Sequence, residues 1–283
     1  MMIITGATGK IGSQISKLLN SQNINFTAIS RTKEKLIDLN LSNMEIIEGD
    51  IDSADIWMNE PTINADDILF LVRVNDSFKI LEDAKKKGIN KIIFLSSASI
   101  NHKDSEHSEN AQDHKLFEDK IKEMGFNYVF IRPEAFMSNA LYWSGLFKYS
   151  KDELNWPRLS AKYASVHEND VAEVVVEVSK SFDKFQGKVL TLTGANVITQ
   201  KYMLSEIIKQ TKSQLILKEQ SLADFEIYMS KFMDQKYISL READWEYSFN
   251  NKLEITDTIS TILDREPLTY REWVSDNKDQ FQL

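Results

Sequence analysis

From its first residues the chain alternates short apolar runs with stretches in which apolar side chains recur every three or four positions. The runs fall at 2–5, 26–30, 45–48, 68–72, 91–96 and 128–131, and the amphipathic stretches at 10–20, 33–39, 76–87 and 112–124. Runs rich in β-branched residues between helical periods are the pattern of repeated strand–helix–strand units, which predicts a parallel, doubly wound α/β sheet. Several runs are apolar throughout, such as Ile68-Leu69-Phe70-Leu71-Val72 and Ile92-Ile93-Phe94-Leu95. Strands covered by helices on both faces read in this way.

The period is lost after Pro133. Over 136–162 the chain is rich in Trp, Tyr and Met, which reads as lid or substrate-pocket material. Alternation returns with a strand at 163–166, a helix at 169–180 and a strand at 188–193. Beyond Gly194 the chain reads as mostly helical, at 202–211, 222–232, 253–263 and 270–276, around one strand at 214–218. The expected organisation is a nucleotide-binding domain over 1–135, completed by 163–194, with 136–162 and 195–283 forming a smaller, mostly helical C-terminal lobe.

Composition narrows the function. A chain of 283 residues is long enough for this plan. Cysteine is absent, which excludes thiolate catalysis and cysteine metal sites and fits a reducing, cytoplasmic setting. The first residues lack a basic stretch followed by a long apolar one, so no signal peptide is expected; no apolar run approaches the roughly 20 residues that span a bilayer, so no membrane association is expected either. The net charge of −9, from 43 acidic and 34 basic residues, argues against a protein that grips nucleic acid by its phosphates. Lys85-Lys86-Lys87 reads as a solvated helix end. A monomer or a homodimer is expected.

The first strand runs into Thr5-Gly6-Ala7-Thr8-Gly9-Lys10-Ile11-Gly12, and a helix follows at once. In that context the first glycine permits a tight turn, the second admits a pyrophosphate to the backbone, and the third lets helix and strand pack closely. The reading is a Rossmann-type NAD(P) site formed by Gly6, Thr8, Gly9, Lys10, Ile11 and Gly12. The second strand ends at Arg31, not at the acid that would bind the 2′-hydroxyl of NAD. A guanidinium there suits the 2′-phosphate of NADP, so NADP(H) is expected in preference to NAD(H), with NAD(H) possible. Asp50 and Ile51 after the third strand, and Leu71 and Val72 at the end of the fourth, complete the expected cofactor set; Asp50 is also suited to capping a helix.

The chain resembles the NmrA-like group of atypical short-chain dehydrogenases/reductases. Besides the glycine turn, the resemblance is carried by His114-Lys115-Leu116-Phe117-Glu118, by 124–128 with Ile131-Arg132-Pro133 through Asn139, by Asn169-Asp170-Val171-Ala172, by 190–194, and by 263–270 with Trp273. It implies NAD(P) binding, and either reduction of a quinone, enone or other small carbonyl compound or, alternatively, a non-catalytic regulator that senses the cofactor. The wider superfamily's Tyr-x-x-x-Lys pair is missing, since Asn110 and His114 stand at those positions. Ser97 matches the superfamily's active-site serine. A histidine at the lysine position resembles the quinone-reducing members, and His114 is expected to donate a hydrogen bond to the nicotinamide ribose or to relay a proton. Lys115, one position on, is the rival.

His102 and His107, with Asp104, Glu106 and Glu109, read as a polar loop and not as a metal site, so no metal is expected. No Gly-x-Ser-x-Gly elbow is present. Phe136, Met137, Tyr142, Trp143, Trp156, Phe225, Tyr228, Met229, Phe232 and Met233 form an aromatic and methionine set that either fills a core or lines a pocket for a small apolar or aromatic substrate.

Overall fold

The computed structural model describes residues 1–51, 60–73, 77–102 and 108–282. These divide into two compact units. The first comprises Met1–Glu134, Glu168–Leu192 and Asp257–Arg265; the second comprises Ala135–His167, Thr193–Thr256 and Glu266–Leu283.

The first unit is built on a sheet containing β1 (Met2–Thr5), β2 (Phe26–Ser30), β3 (Met44–Glu48), β4 (Ile68–Val72), β5 (Lys91–Leu95) and β6 (Asn127–Pro133), closed by the strand Val189–Leu192. The spatial order is β3-β2-β1-β4-β5-β6 and then Val189–Leu192, with every pair parallel. Strand order therefore reverses between β1 and β4, the place where open α/β sheets leave a crevice at their carboxyl ends. Ile3, Phe70, Phe94 and Phe130 are fully buried, as continuous apolar strands demand. The helix Lys10–Ser21 buries Ile11, Ile15 and Leu19, a stripe at four-residue spacing, and packs against the helix Glu168–Lys180. The helices Lys79–Lys86 and Glu109–Glu123 cover the sheet through Ile80, Phe117 and Ile121.

In this unit the expected strands and helices are present, with ends displaced by a few residues. The helix expected over 112–124 begins at Glu109, because Ser108 caps it by accepting the Ala111 N–H. The helix expected over 76–87 is described from Lys79; Asp76 lies outside the described residues. The three lysines that follow are tied to their surroundings: Lys85 binds Asn90 and the Gly125 carbonyl, Lys86 pairs with Asp83, and Lys87 reaches the Glu60 carbonyl.

The second unit packs around Trp156, Trp245 and Trp273. Two short sheets organise it, one antiparallel (Lys162–Tyr163 with Ile198–Thr199) and one parallel (Glu153–Trp156 with Ile216–Glu219). Here the sequence reading needs correction. The aperiodic stretch 136–162 contains a 3₁₀ helix (Met137–Trp143), an α-helix (Ser144–Tyr149) and the strand Glu153–Trp156. The strand expected over 163–166 is only Lys162–Tyr163; further on, Val166 bonds piecemeal to the Ala135 carbonyl and the Met137 N–H. The helix expected over 253–263 is only Thr258–Leu263, which belongs to the first unit, since the Thr256 N–H is drawn to the Thr193 hydroxyl. The helix Gln235–Asn250 went unread. It buries only Ile238, Trp245 and Ser248 while Tyr237, Leu240 and Phe249 stay exposed, so its apolar residues do not repeat as one stripe.

Candidate functional site

The glycine turn is made by backbone. Gly6 has φ +65°, a left-handed conformation natural to glycine, and its carbonyl accepts the Gly9 N–H at 2.8 Å. A Cβ on Gly12 would stand 2.2 Å from the Gly6 carbonyl oxygen, so only glycine lets the helix begin against the strand end. Gly9 has a different constraint: a Cβ there would meet only the Gly6 carbonyl oxygen, at 3.1 Å, and the residue is exposed. Gly9 is also the N-cap of Lys10–Ser21, with no side chain to cap it and no acid in the first turn. The helix dipole and first-turn amides thus stand ready for an anion beside an open glycine. Thr5 braces the turn, its hydroxyl accepting the Val72 N–H and donating to the Phe70 carbonyl, both at 3.1 Å.

The neighbouring strand ends carry the remaining expected cofactor residues. Arg31 is exposed, between Ser30 and Thr32, which bond to each other across it. The Lys33 N–H is taken by Glu48 at 3.2 Å, bringing a carboxylate from β3 to the start of the short helix Lys33–Ile37. Asp50 is exposed and Ile51 half-buried. Leu71 needs a correction as a cofactor contact: its side chain is 1% exposed and lies in the core, leaving only its backbone. Ile11 is likewise 5% exposed. Val72 packs beside the turn, 3.6 Å from where a Gly6 Cβ would stand.

Ser97, just past β5, starts the 3₁₀ helix Ala98–Asn101. Its hydroxyl oxygen accepts from the Ser99 N–H (3.2 Å) and the Asn110 amide (3.3 Å), and lies 2.8 Å from the Ser99 hydroxyl. With both lone pairs engaged, its own proton turns toward Ser99 or toward a ligand oxygen. The Asn110 amide also reaches Ser99 at 3.0 Å. On the next helical turn, His114 Nδ1 lies 2.8 Å from the Asn110 carbonyl. A carbonyl only accepts, so Nδ1 carries the hydrogen. Burial holds the His114 pKa below its ordinary 6.5, opposed by its bond to Asn110, so the ring is neutral and Nε2 bears a lone pair. The neutral ring leaves Nε2 able to accept, whereas donation to a nicotinamide ribose or proton relay was expected. Ser97, Asn110 and His114 are brought together; Lys115 is not, being exposed and ion-paired with Asp119.

Other side chains support this cluster. Arg73, directly after β4, pairs with Asp113 at 3.0 Å, and its charge also lowers the His114 pKa. Glu118, fully buried, accepts from Ser96 (2.7 Å) and from Arg132 through Nε (2.8 Å) and Nη2 (2.5 Å). Arg132 also donates to Asn101, which reaches Thr191. Glu118 and Arg132 were legible only as parts of the resemblance; Arg73 and Asp113 carried no sequence signal. The motif residue Asp170 meets Arg265 of the closing segment at 2.8 Å, and Arg265 also holds Glu173 at 2.7 Å. His102 pairs with Glu134 at 3.3 Å. His107, Asp104 and Glu106 lie outside the described residues, and among the described residues no cluster is arranged to hold a metal. No helix there is long and apolar enough to cross a membrane.

The second unit has a pocket of its own, lined by Phe136, Tyr142, Trp143, Trp156, Tyr163, Arg241 and Asp244, among others. Tyr142 and Trp143 each meet the Trp156 ring edge-on, with centroids 5.7 Å apart. Gln200 accepts from the Trp156 indole and donates to the Arg158 carbonyl, both at 2.8 Å. The aromatic set is therefore shared. Phe225 and Met229 belong to the core, Phe232 is 69% exposed, and Tyr142, Trp143 and Trp156 face the pocket.

The sequence model described as NAD(P)H-binding matches residues 6–181, more than half of the chain. The chain belongs to this family. A curated relative is the (4-alkanoyl-5-oxo-2,5-dihydrofuran-3-yl)methyl phosphate reductase of Streptomyces griseus, 22% identical over 287 residues and covering 99% of both chains. Among solved structures, an Escherichia coli NADPH-dependent quinone oxidoreductase complexed with NADPH superposes with TM-score 0.80, at 21% identity over 98% of this chain and 99% of that one. A mutant NmrA gives TM-score 0.72 at 11% identity, over 97% and 94%. These likenesses bear out the NmrA-like fold.

The residues present fit the family's cofactor. The uncapped helix start and open Gly9 suit a pyrophosphate, and the exposed guanidinium at the end of β2 suits the polar adenosine end.

Proposed function

We propose that the protein is an NADPH-dependent reductase that transfers hydride to a quinone, enone or other small conjugated carbonyl compound. The observation that carries this reading is the Ser97–Asn110–His114 cluster at the carboxyl end of β5. Bound NADPH supplies a hydride, and the balance is acceptor plus NADPH plus one proton giving reduced acceptor plus NADP+. Ser97 offers a hydrogen-bond donor to the acceptor's oxygen, held in direction by Asn110. His114, neutral with a lone pair at Nε2, accepts from a ribose hydroxyl and orients the cofactor. Asn110 cannot supply the proton that tyrosine supplies in the wider superfamily. That lack matters least when hydride arrival creates a delocalised hydroquinone anion or enolate, far less basic than the alkoxide from a simple ketone. The Streptomyces griseus relative is named for reducing an unsaturated lactone, an acceptor of this kind.

Arg31 favours NADP(H), with NAD(H) as the weaker cofactor. Asn110 in the tyrosine position supports a second reading, a non-catalytic NAD(P)-sensing regulator. NADPH oxidation against a panel of quinones, enones, unsaturated lactones and aldehydes separates the two. Turnover with a conjugated acceptor is expected. Tight NADPH binding without oxidation by any member refutes the reductase.

A further inference from the structure

The pocket of the second unit combines flat apolar walls with hydrogen-bond donors. Arg241, half-buried on the helix Gln235–Asn250, lines the pocket with its guanidinium 5.0 Å over the Tyr142 ring, and its charge also acts on the Tyr163 hydroxyl. Trp143 lines the same pocket at 5% exposure, and its indole N–H has no hydrogen-bond partner among the described residues. A buried donor without an acceptor costs free energy in the empty protein, and a ligand oxygen there recovers it. Gln200, the neighbouring amide, is already committed to Trp156 and Arg158.

Asp244 also lines the pocket, from the same helix, and is exposed. At the Tyr163 hydroxyl the pull of Arg241 outweighs the push of Asp244, although burial raises the pKa overall; at Tyr142 only Arg241 acts against burial. Arg241 is thus the cation that acts on both phenols. A planar guanidinium forks onto a carboxylate or phosphate with paired hydrogen bonds, which lysine cannot reproduce.

We propose that Arg241 and Trp143 form a recognition site for an anionic oxygen group carried by a flat, conjugated substrate. The ligand's being a substrate rests on the reductase reading; the pocket's preference for an anion does not. Tyr142 and Trp156 take the ring system by edge and face contact, and Arg241 with Trp143 takes the carboxylate or phosphate.

The test is calorimetric titration of the NADP+-saturated protein with 2-naphthoate and with neutral, nearly isosteric 2-naphthamide. The naphthoate is expected to bind about tenfold tighter or more. Arg241→Met should bring the ratio of the two affinities to about one, Trp143→Phe should lower it several-fold, and Asp244→Asn should raise it. If Arg241→Met does not fold, Arg241→Lys serves, since it keeps the charge but loses the fork and should still lower the ratio. Equal affinity for the two probes in the wild type, or a ratio that survives Arg241→Met or Arg241→Lys, overturns the proposal. Because no reduction is involved, a naphthoate preference in a protein that oxidises NADPH with no acceptor supports this site while refuting the reductase.

Discussion

Replacing Glu118 should destabilise the first unit and disturb the serine beside it. Its carboxylate is fully buried and takes three hydrogen bonds: from Ser96 at 2.7 Å and from the Arg132 guanidinium at 2.8 and 2.5 Å. Breaking a buried ion pair from one side costs about 3–5 kcal/mol, because the remaining charge is stranded. The Arg132 side chain is 12% exposed and keeps its bond to Asn101, which places Glu118→Ala near the lower end, about 3 kcal/mol. Glu118→Gln preserves volume and one acceptor and should cost about 2 kcal/mol. For a chain of this size, 3 kcal/mol corresponds to a fall in Tm of roughly 6–12 °C. Urea unfolding followed by circular dichroism measures the loss, and an Arg132→Met cycle tests its origin: Arg132→Met should cost at least about 1 kcal/mol less in the Glu118→Gln background than in the wild type. Turnover should fall with stability, since Ser96 precedes Ser97. A Glu118→Ala protein within about 1 kcal/mol of the wild type, or additive single variants, would refute the reasoning.

Arg31→Asp should reverse cofactor preference, weakening NADPH by about ten- to a hundred-fold, the worth of a charge-assisted phosphate contact; calorimetry showing that the wild type binds NAD equally well contradicts it. Gly9→Val should abolish the thermal shift given by NADPH with little change in the unliganded Tm, because the added side chain meets only the Gly6 carbonyl oxygen and otherwise occupies the pyrophosphate's approach. Burial keeps His114 neutral in the fold, so the unfolded chain binds a proton first as pH falls through about 6.5, and stability contributed by the neutral ring is full above that pH and lost below it. His114→Gln should therefore flatten the decline of Tm between about pH 7 and pH 5, and an unchanged slope rejects the assignment.

How far the sequence disclosed this molecule depends on whether a residue acts through its backbone or through its neighbours. Gly6 and Gly12 were legible because their duties are steric: a left-handed φ favours glycine at the first, and a Cβ 2.2 Å from the Gly6 carbonyl oxygen excludes any other residue at the second. The central strands β4 and β5 were legible because burial on both faces makes them almost wholly apolar. The helix Gln235–Asn250 was not, since Tyr237, Leu240 and Phe249 remain exposed and blur its stripe. The stretch 136–162 looked aperiodic because its 3₁₀ turn, single helix and short strand are each too brief to establish a period.

At the candidate site the sequence suggested residue types but could not give the direction of their hydrogen bonds. Ser97 and His114 were picked out by position, yet whether His114 Nε2 donates or accepts is decided by the Asn110 carbonyl four residues earlier, a contact that depends on helix and rotamer. The same bond alters what Asn110 means. Read as a lost tyrosine it argues against catalysis; in the structure its amide engages Ser97 and Ser99 while its carbonyl fixes the His114 tautomer. One residue thus sets the hydrogen-bond direction of both neighbours: Ser97 is left to give a hydrogen bond and His114 to receive one. Substituting tyrosine at 110 would remove the amide from Ser97 but leave the backbone carbonyl to His114, so the two effects are separable. If Asn110 orients the serine, Asn110→Tyr or Asn110→Ala should lower kcat while leaving the His114-dependent pH slope of stability in place. If both change together, the residue acts only by supporting the helix start.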